Sequence, residues 1–248
     1  MLLEWLGMSS SEVSKLSFDA MRLHTDTEAT STVMLPTFEE KELPAGSIPL
    51  VDALTQFPEK SVAVAEYALS RHLDIVDGYD FKWSPSMPDR LIMPCYYNRK
   101  IVGWTARRIT DGNLKYFDDK QQGYVFNVDA QPWSRKFVIA VEGPIDAISI
   151  EGIAVLGAEI SDKQALIINR LNRPVIYLPD RDQDGLRTIP RAIELGWAVS
   201  MPDWGPGIKD ANKATVEYGK LWTLHSIITA AERYDLKIKL RANSWFKQ

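Results

Sequence analysis

The sequence predicts an α/β protein: a mainly parallel sheet flanked by helices, preceded by a smaller, basic α+β subdomain. Three observations lead there. Two apolar runs of strand length, residues 137–141 and 175–178, each end abruptly at acids, Glu142 and the Asp180-Arg181-Asp182 turn. Runs that are apolar throughout suit strands buried on both faces. Each is followed by a helix signal, and after Glu142 this is a Gly143 turn with Pro144 at the first helical position, where a missing N–H costs nothing. The third observation is a basic, aromatic stretch over residues 89–117 that reads as two strands around an Asn98-Arg99-Lys100 turn.

In chain order, residues 1–24 read as helical, with Ser9 and Glu12 in capping-box spacing. Polar residues 25–32 and the prolines Pro36 and Pro44 read as an irregular linker. Residues 49–55 and 61–72 read as helices, with Val62, Val64, Ala65, Tyr67, Ala68 and Leu69 as their core positions. Strands follow at 90–97 and 101–109. The α/β unit then runs as strand 137–141, helix 144–151, strand 153–156, helix 161–171 capped by Ser161, strand 174–178, helix 185–195 and strand 197–201. Lys209-Asp210 opens another helix, and residues 221–234 form a last long one. The end from Lys237 is basic and aromatic and reads as a solvated tail. The expected divisions are 1–48 (helix and linker), 49–134 (basic subdomain), 135–218 (α/β domain) and 219–248 (C-terminal helix and tail).

Strand, acidic turn, helix is the grammar of a parallel sheet whose site lies beyond the carboxyl ends of the strands. Glu142, Asp180 and Asp182 are then expected to meet at one edge. Gathered carboxylates repel unless a cation neutralises them. Oxygen ligands without neighbouring His or Cys favour a hard divalent ion, Mg²⁺ or Mn²⁺, which keeps positions open for phosphate oxygens. Metal-assisted phosphoryl transfer is the chemistry this pattern suggests. The bland alternative is an Asp-rich turn capping a helix. A calcium loop starting at Asp180 needs an acid at its twelfth position, which is Arg191 here.

Glu142-Gly143-Pro144-Ile145-Asp146, Asp180-Arg181-Asp182 and Lys209-Asp210, in that order, resemble the motifs of a TOPRIM domain, shared by DnaG-type primases, type IA and type II topoisomerases and several nucleases. Arg90, Pro94, Gly103, Trp104, Arg107 or Arg108, and Lys115-Tyr116 resemble the signature that separates DnaG-type primases from the rest, with phage versions closest in spacing. The resemblance implies a TOPRIM fold and a primase catalytic core that makes RNA primers on single-stranded DNA from nucleoside triphosphates. It implies Glu142, Asp180 and Asp182 as metal ligands, with Asp146 and Asp210 as further catalytic acids. Lys209 and Lys115 fall to the nucleotide, and Arg90, Arg99, Lys100, Trp104, Arg107 and Arg108 to the template. Two other classes share parts of the pattern: a TOPRIM nuclease, and a non-catalytic single-strand-binding accessory subunit.

Composition bounds this. The chain has 248 residues, 29 Lys plus Arg against 33 Asp plus Glu, and a net charge of −4. A nucleic-acid site therefore has to be a local patch. Between Arg90 and Lys115 six basic residues face one acid, with Tyr96, Tyr97 and Trp104 among them, a composition suited to phosphates and stacked bases. One cysteine, Cys95, leaves no intramolecular disulfide and fits a reducing cytoplasm, that of a host if the chain is phage-encoded. One Cys and three His residues (His24, His72, His225) cannot build the zinc-binding domain that DnaG-type primases carry, and no P-loop is present. A separate zinc-binding domain and a replicative helicase are thus the expected protein partners. No apolar run is long enough for a membrane span.

Overall fold

The computed structural model describes residues 35–131, 134–157 and 159–247. The helix expected over residues 1–24 lies outside them. Residues 36 onward form one compact unit containing two five-stranded sheets.

The first sheet is antiparallel throughout, in the order β1 (Ile48–Pro49), β2 (Lys82–Trp83), β3 (Arg90–Tyr97), β4 (Lys100–Arg108), β5 (Tyr116–Asp119). The β3–β4 hairpin closes on Asn98 and Arg99, both left-handed (φ 51° and 64°), as a two-residue hairpin turn requires. Gly103 is needed for close approach: a Cβ there would come within 2.3 Å of the Asp119 carbonyl oxygen on β5. The expected hairpin is thus the centre of a larger sheet. Strand β5 is short and largely polar, so alternation alone did not reveal it.

Residues 36–48, expected as linker, are tied to this sheet. Lys41 N–H donates to the Ile101 carbonyl at 2.9 Å, its ammonium meets Asp119 at 2.7 Å, and Phe38 packs edge-on against Tyr97. Helices α1 (Leu50–Gln56) and α2 (Pro58–Ser70) follow β1. In α2 the buried stripe is Ser61, Val64, Ala65 and Ala68, at helical spacing. Val62 and Leu69 lie off that stripe and are exposed, which corrects the broader core set.

The second sheet has the order β10-β9-β8-β6-β7. Strands β6 (Val138–Val141), β7 (Ile153–Ala154), β8 (Val175–Tyr177) and β9 (Ala198–Ser200) are parallel; β10 (Ala231–Glu232) pairs antiparallel to β9. All residues of β6 to β9 are buried, as their unbroken apolar runs require. The connecting helices are α3 (Pro144–Ile150), α4 (Asp162–Asn169) and α5 (Gln183–Glu194), followed after β9 by α6 (Ala211–Tyr218). Helix α4 begins at the expected Ser161, in a full capping box with Gln164.

The C-terminal region departs from expectation. The helix predicted over 221–234 is α7 (Lys220–Thr229), ended by the β10 pairing. The predicted tail is helix α8 (Asp235–Trp245). Ile238, Ala242 and Trp245 recur at helical spacing and are buried, so this basic stretch docks by one narrow apolar stripe. Among the described residues no helix is long and apolar enough to cross a membrane.

Candidate active site

Strands β6 and β8 are neighbours in the sheet, so their carboxyl ends lie side by side. That brings Glu142 and Asp180 together although they are 38 residues apart: the Asp180 N–H donates to Glu142 Oε1 at 3.3 Å. The crevice beyond these strand ends opens into a cavity of about 280 Å³. Its acidic wall comprises Glu142, Asp146, Asp180, Asp184 and Asp210.

Local geometry fixes each acid. Asp146 sits in the first turn of α3, half-buried, and accepts from the Asn212 N–H at 2.8 Å. Asp210 caps α6, accepting from the Lys213 N–H at 2.7 Å. Asp182 caps α5, and its Oδ1 accepts from the N–H groups of Asp184 and Gly185. Gly185 is obligatory, since a Cβ there would lie 2.0 Å from the Asp180 carbonyl oxygen. Asp182 is exposed, and Asp184 lines the cavity in its place.

The acids are electrostatically frustrated. Burial, with Asp182 and Asp184 nearby, pushes Glu142 up to about 7. Burial and then Asp210 raise Asp146. Burial raises Asp180 further, reinforced by Asp146, Glu142, Asp210 and Asp182. Such a wall calls for a cation. Among the described residues no three His, Cys, Asp or Glu side chains converge tightly enough to cage an ion by themselves. All-carboxylate donors spread around an open cavity fit Mg²⁺ or Mn²⁺, which retain waters and substrate oxygens. The residues therefore fit the implied metal in chemistry, with the Asp180 backbone tied to Glu142 at the two strand ends.

The opposite wall comes from the first half of the chain and is mainly basic: Arg71, Arg107, Lys115 and Lys120, with Tyr67, Tyr116, Thr105 and one acid, Asp118, which pairs with Lys120 at 3.2 Å. Arg107 lies over the rings of Tyr116 (5.1 Å) and Tyr67 (5.9 Å). The Arg107 Nε and the Tyr67 hydroxyl are buried without a hydrogen-bond partner. Two such orphans on one cavity wall mark a place where a polar ligand completes the bonding. Arg71 reaches across to Asn212 Oδ1 at 3.0 Å, joining the two walls.

The remaining expected residues are dispersed. Arg90 is 5% exposed, and its guanidinium donates to the carbonyls of Ala106 and Leu114, so it braces the sheet. Trp104 is 7% exposed, packed with Ile92 and Ala106 and edge-on to Phe117, so no ring face is open for a stacked base. Arg108 pairs with Asp89 at 3.1 Å on the side of the sheet away from the cavity. Arg99 sits in the hairpin turn and Lys100 opens β4, about 25 Å along the strand from Arg107 at about 3.3 Å per residue. Lys209 is exposed and does not line the cavity; its carbonyl accepts from the Arg181 N–H at 2.8 Å. Lys115 does line it. Tyr67 and Arg71 were missed as site residues. In sequence Tyr67 reads as one more apolar position of a helix and Arg71 as its closing cation, and only the fold turns both toward the acids.

No family model and no curated protein matches the sequence. Solved structures do. A DnaG catalytic core aligns with a TM-score of 0.57 at 16% identity, over 73% of this chain and 79% of that one. The fold is that of a DnaG-type primase catalytic core. A DnaG primase catalytic domain bound to single-stranded DNA aligns with 0.56 at 15% identity, over 73% and 78%. The RNA polymerase domain of Mycobacterium tuberculosis primase DnaG gives 0.57 at 13%, over 77% and 85%. The DnaG-type resemblance carried by Glu142, Asp180 and Gly103 in sequence thus extends to three-dimensional architecture.

Proposed function

We propose that this chain is the catalytic core of a DNA-dependent primase, a nucleotidyltransferase that joins ribonucleoside triphosphates on a single-stranded DNA template. The observation that carries this reading is one cavity with two opposed walls. Carboxylates from the ends of β6 and β8 face arginines and a lysine from α2, β4 and the segment before β5. The likeness to DnaG cores, one of them bound to single-stranded DNA, supports the choice among activities.

In this reading Glu142 and Asp180 hold Mg²⁺ or Mn²⁺, with Asp146, Asp184 and Asp210 completing the acidic field. An ion held there would supply Lewis-acid chemistry, lowering the pKa of the attacking hydroxyl and offsetting charge on the leaving pyrophosphate. Arg107, Arg71 and Lys115 receive the triphosphate. A planar guanidinium meets phosphate oxygens through two parallel hydrogen bonds, and the orphaned Arg107 Nε is free for one of them. The Tyr67 hydroxyl is placed to meet the same ligand. Tyr116 and Tyr67 hold the Arg107 plane in register by stacking. Glu142 near pH 7 in the absence of a cation means that nucleotide joining rises with pH as the acidic wall ionises and takes up metal. A zinc-binding domain and a replicative helicase are proposed as partners of this core.

Incubation of the protein with single-stranded DNA, labelled ribonucleotides and Mg²⁺ or Mn²⁺ tests this. Short template-dependent products are expected, and none from Asp180→Asn. Degradation of the DNA without any joining would replace the primase by a nuclease using the same acids.

A further inference from the structure

The loop between β8 and α5 carries a cation between its carboxylates, Asp180-Arg181-Asp182. Arg181 is not among the residues that line the cavity. Its backbone N–H donates to the Lys209 carbonyl at 2.8 Å, which ties the loop to the segment bearing Asp210. Its guanidinium lies over the Trp245 ring, 4.9 Å from the centroid, and Nε donates to the Trp245 carbonyl at 2.9 Å. Trp245 is itself fixed. It is 3% exposed, its Nε1 donates to the Pro202 carbonyl at 2.7 Å, and Phe246 packs edge-on against it.

We infer that Arg181 and Trp245 are a positioning pair, through which the C-terminal helix α8 sets the orientation of the Asp180 and Asp182 carboxylates from behind the cavity. This rests on the reading of the cavity as a cation-dependent nucleotide-joining site. The physical argument is one of repulsion. Asp180 faces Asp146, Glu142, Asp210 and Asp182, all of which disfavour its charge. A short loop bearing two of these acids relaxes outward unless something holds it. The Asp182 cap and the Gly185 contact restrain the loop at its junction with α5. Arg181 restrains it midway, by a backbone bond on one side and a stacked, hydrogen-bonded guanidinium on the other. The partner lies 64 residues away, so the restraint comes from α8 and not from the loop itself. Ile238 and Ala242 also dock α8, and Trp245 is the residue through which it meets the Arg181 loop.

The test uses the full chain with Arg181→Ala, Arg181→Lys and Trp245→Phe. Mn²⁺ binding is followed by the electron paramagnetic resonance of free Mn²⁺, and amide exchange is read over residues 179–185. Nucleotide joining and thermal melts accompany them. Arg181→Ala is expected to weaken Mn²⁺ binding about tenfold, the usual scale for a group that orients a ligand from outside the coordination sphere. Exchange of the loop rises, and the Mn²⁺ midpoint for joining moves by the same factor while KM for the nucleotide stays. Arg181→Lys recovers only part, because an ammonium supplies charge without the planar stack or the Nε bond. Trp245→Phe keeps the bulk and weakens Mn²⁺ binding in the same direction, and the double variant is no worse than Arg181→Ala, as one pathway requires. Wild-type Mn²⁺ affinity and loop exchange in folded Arg181→Ala would overturn the inference. So would losses that track the melting temperature alone. Wild-type protein that binds Mn²⁺ but joins nothing defeats the primase reading, and the Mn²⁺ and exchange measurements still decide for or against the pair.

Discussion

Replacing Glu142 by Gln takes one charge out of the acidic wall and keeps an oxygen for the Asp180 N–H and the Tyr177 hydroxyl. Burial first, then Asp182 and Asp184, raise the Glu142 carboxyl from 4.5 to about 7. An acid whose pKa is raised in the fold contributes stability that is fully present below its unfolded value and lost as pH rises through its folded value. The metal-free protein should therefore weaken between about pH 4 and about pH 8. A gap of about two and a half pKa units corresponds to about 3 kcal/mol. Water reaches one side of a carboxylate on a cavity wall, which brings the expected effect to about 2 kcal/mol. Urea unfolding in the presence of a chelator at both pH values measures it. The Gln variant should match wild type at the acidic end and exceed it by about 2 kcal/mol at the basic end. Excess Mg²⁺ should then stabilise wild type more than the variant, and nucleotide joining should be absent in the variant. Identical pH dependence of wild type and variant in chelator would refute the idea that mutual repulsion of buried carboxylates prepares this site for a cation.

The two adjacent arginines of β4 should differ. Arg107→Ala is expected to raise KM for nucleotide at least tenfold in a steady-state joining assay, whereas Arg108→Ala, which loses a half-exposed pair with Asp89, changes it less than twofold. Trp104→Ala should cost about 3–5 kcal/mol of stability by emptying a buried site; its melting temperature falls, and single-strand affinity of the fraction that stays folded is retained. Gly185→Ala should abolish joining while the protein remains largely helical by circular dichroism. Its Cβ would displace the Asp180 carbonyl, 2.0 Å away, and Asp180 with it. Wild-type rates in that variant would show that the loop tolerates the shift.

Much of the parallel sheet was legible in sequence because its strands are buried on both faces and their apolar runs end at acids. Ser161 and Pro144 marked helix starts by local chemistry that tertiary contacts do not override. The positions of Glu142, Asp180 and Asp210 followed from the rule that parallel strands deliver their ends to one edge. Alternation along β4 puts Arg107 and Arg108 on opposite faces and Trp104 with Arg108; taking the Trp104–Arg108 side as the template platform picks the face away from the cavity, which Arg107 lines. Trp104 illustrates the same limit: an aromatic in a basic strand suits a stacking platform and a packed cluster equally well until Ile92 and Met87 are seen against it. Helix α8 was misjudged because three cations, Lys237, Lys239 and Arg241, are interleaved with its three buried positions and its two leucines are exposed. Tyr67 and Arg71 could not be assigned at all, because their role exists only where α2 meets α6.

That meeting is made by Asn212, whose side-chain amide donates to the Arg71 carbonyl at 2.8 Å and to Ser149 Oγ at 2.7 Å while its oxygen accepts from the Arg71 guanidinium. Arg71 and Asn212 are 141 residues apart. At about 5–20 residues per second of synthesis, about 10–30 s separates their emergence from a ribosome. Glu142, Asp146, Asp180 and Asp210 follow the cations Arg71, Arg107 and Lys115 in the chain and are all made before Asn212 completes the contact. Closure of the Asn212 seam is thus a late event of synthesis, and it is the event that sets the two walls of the cavity against each other.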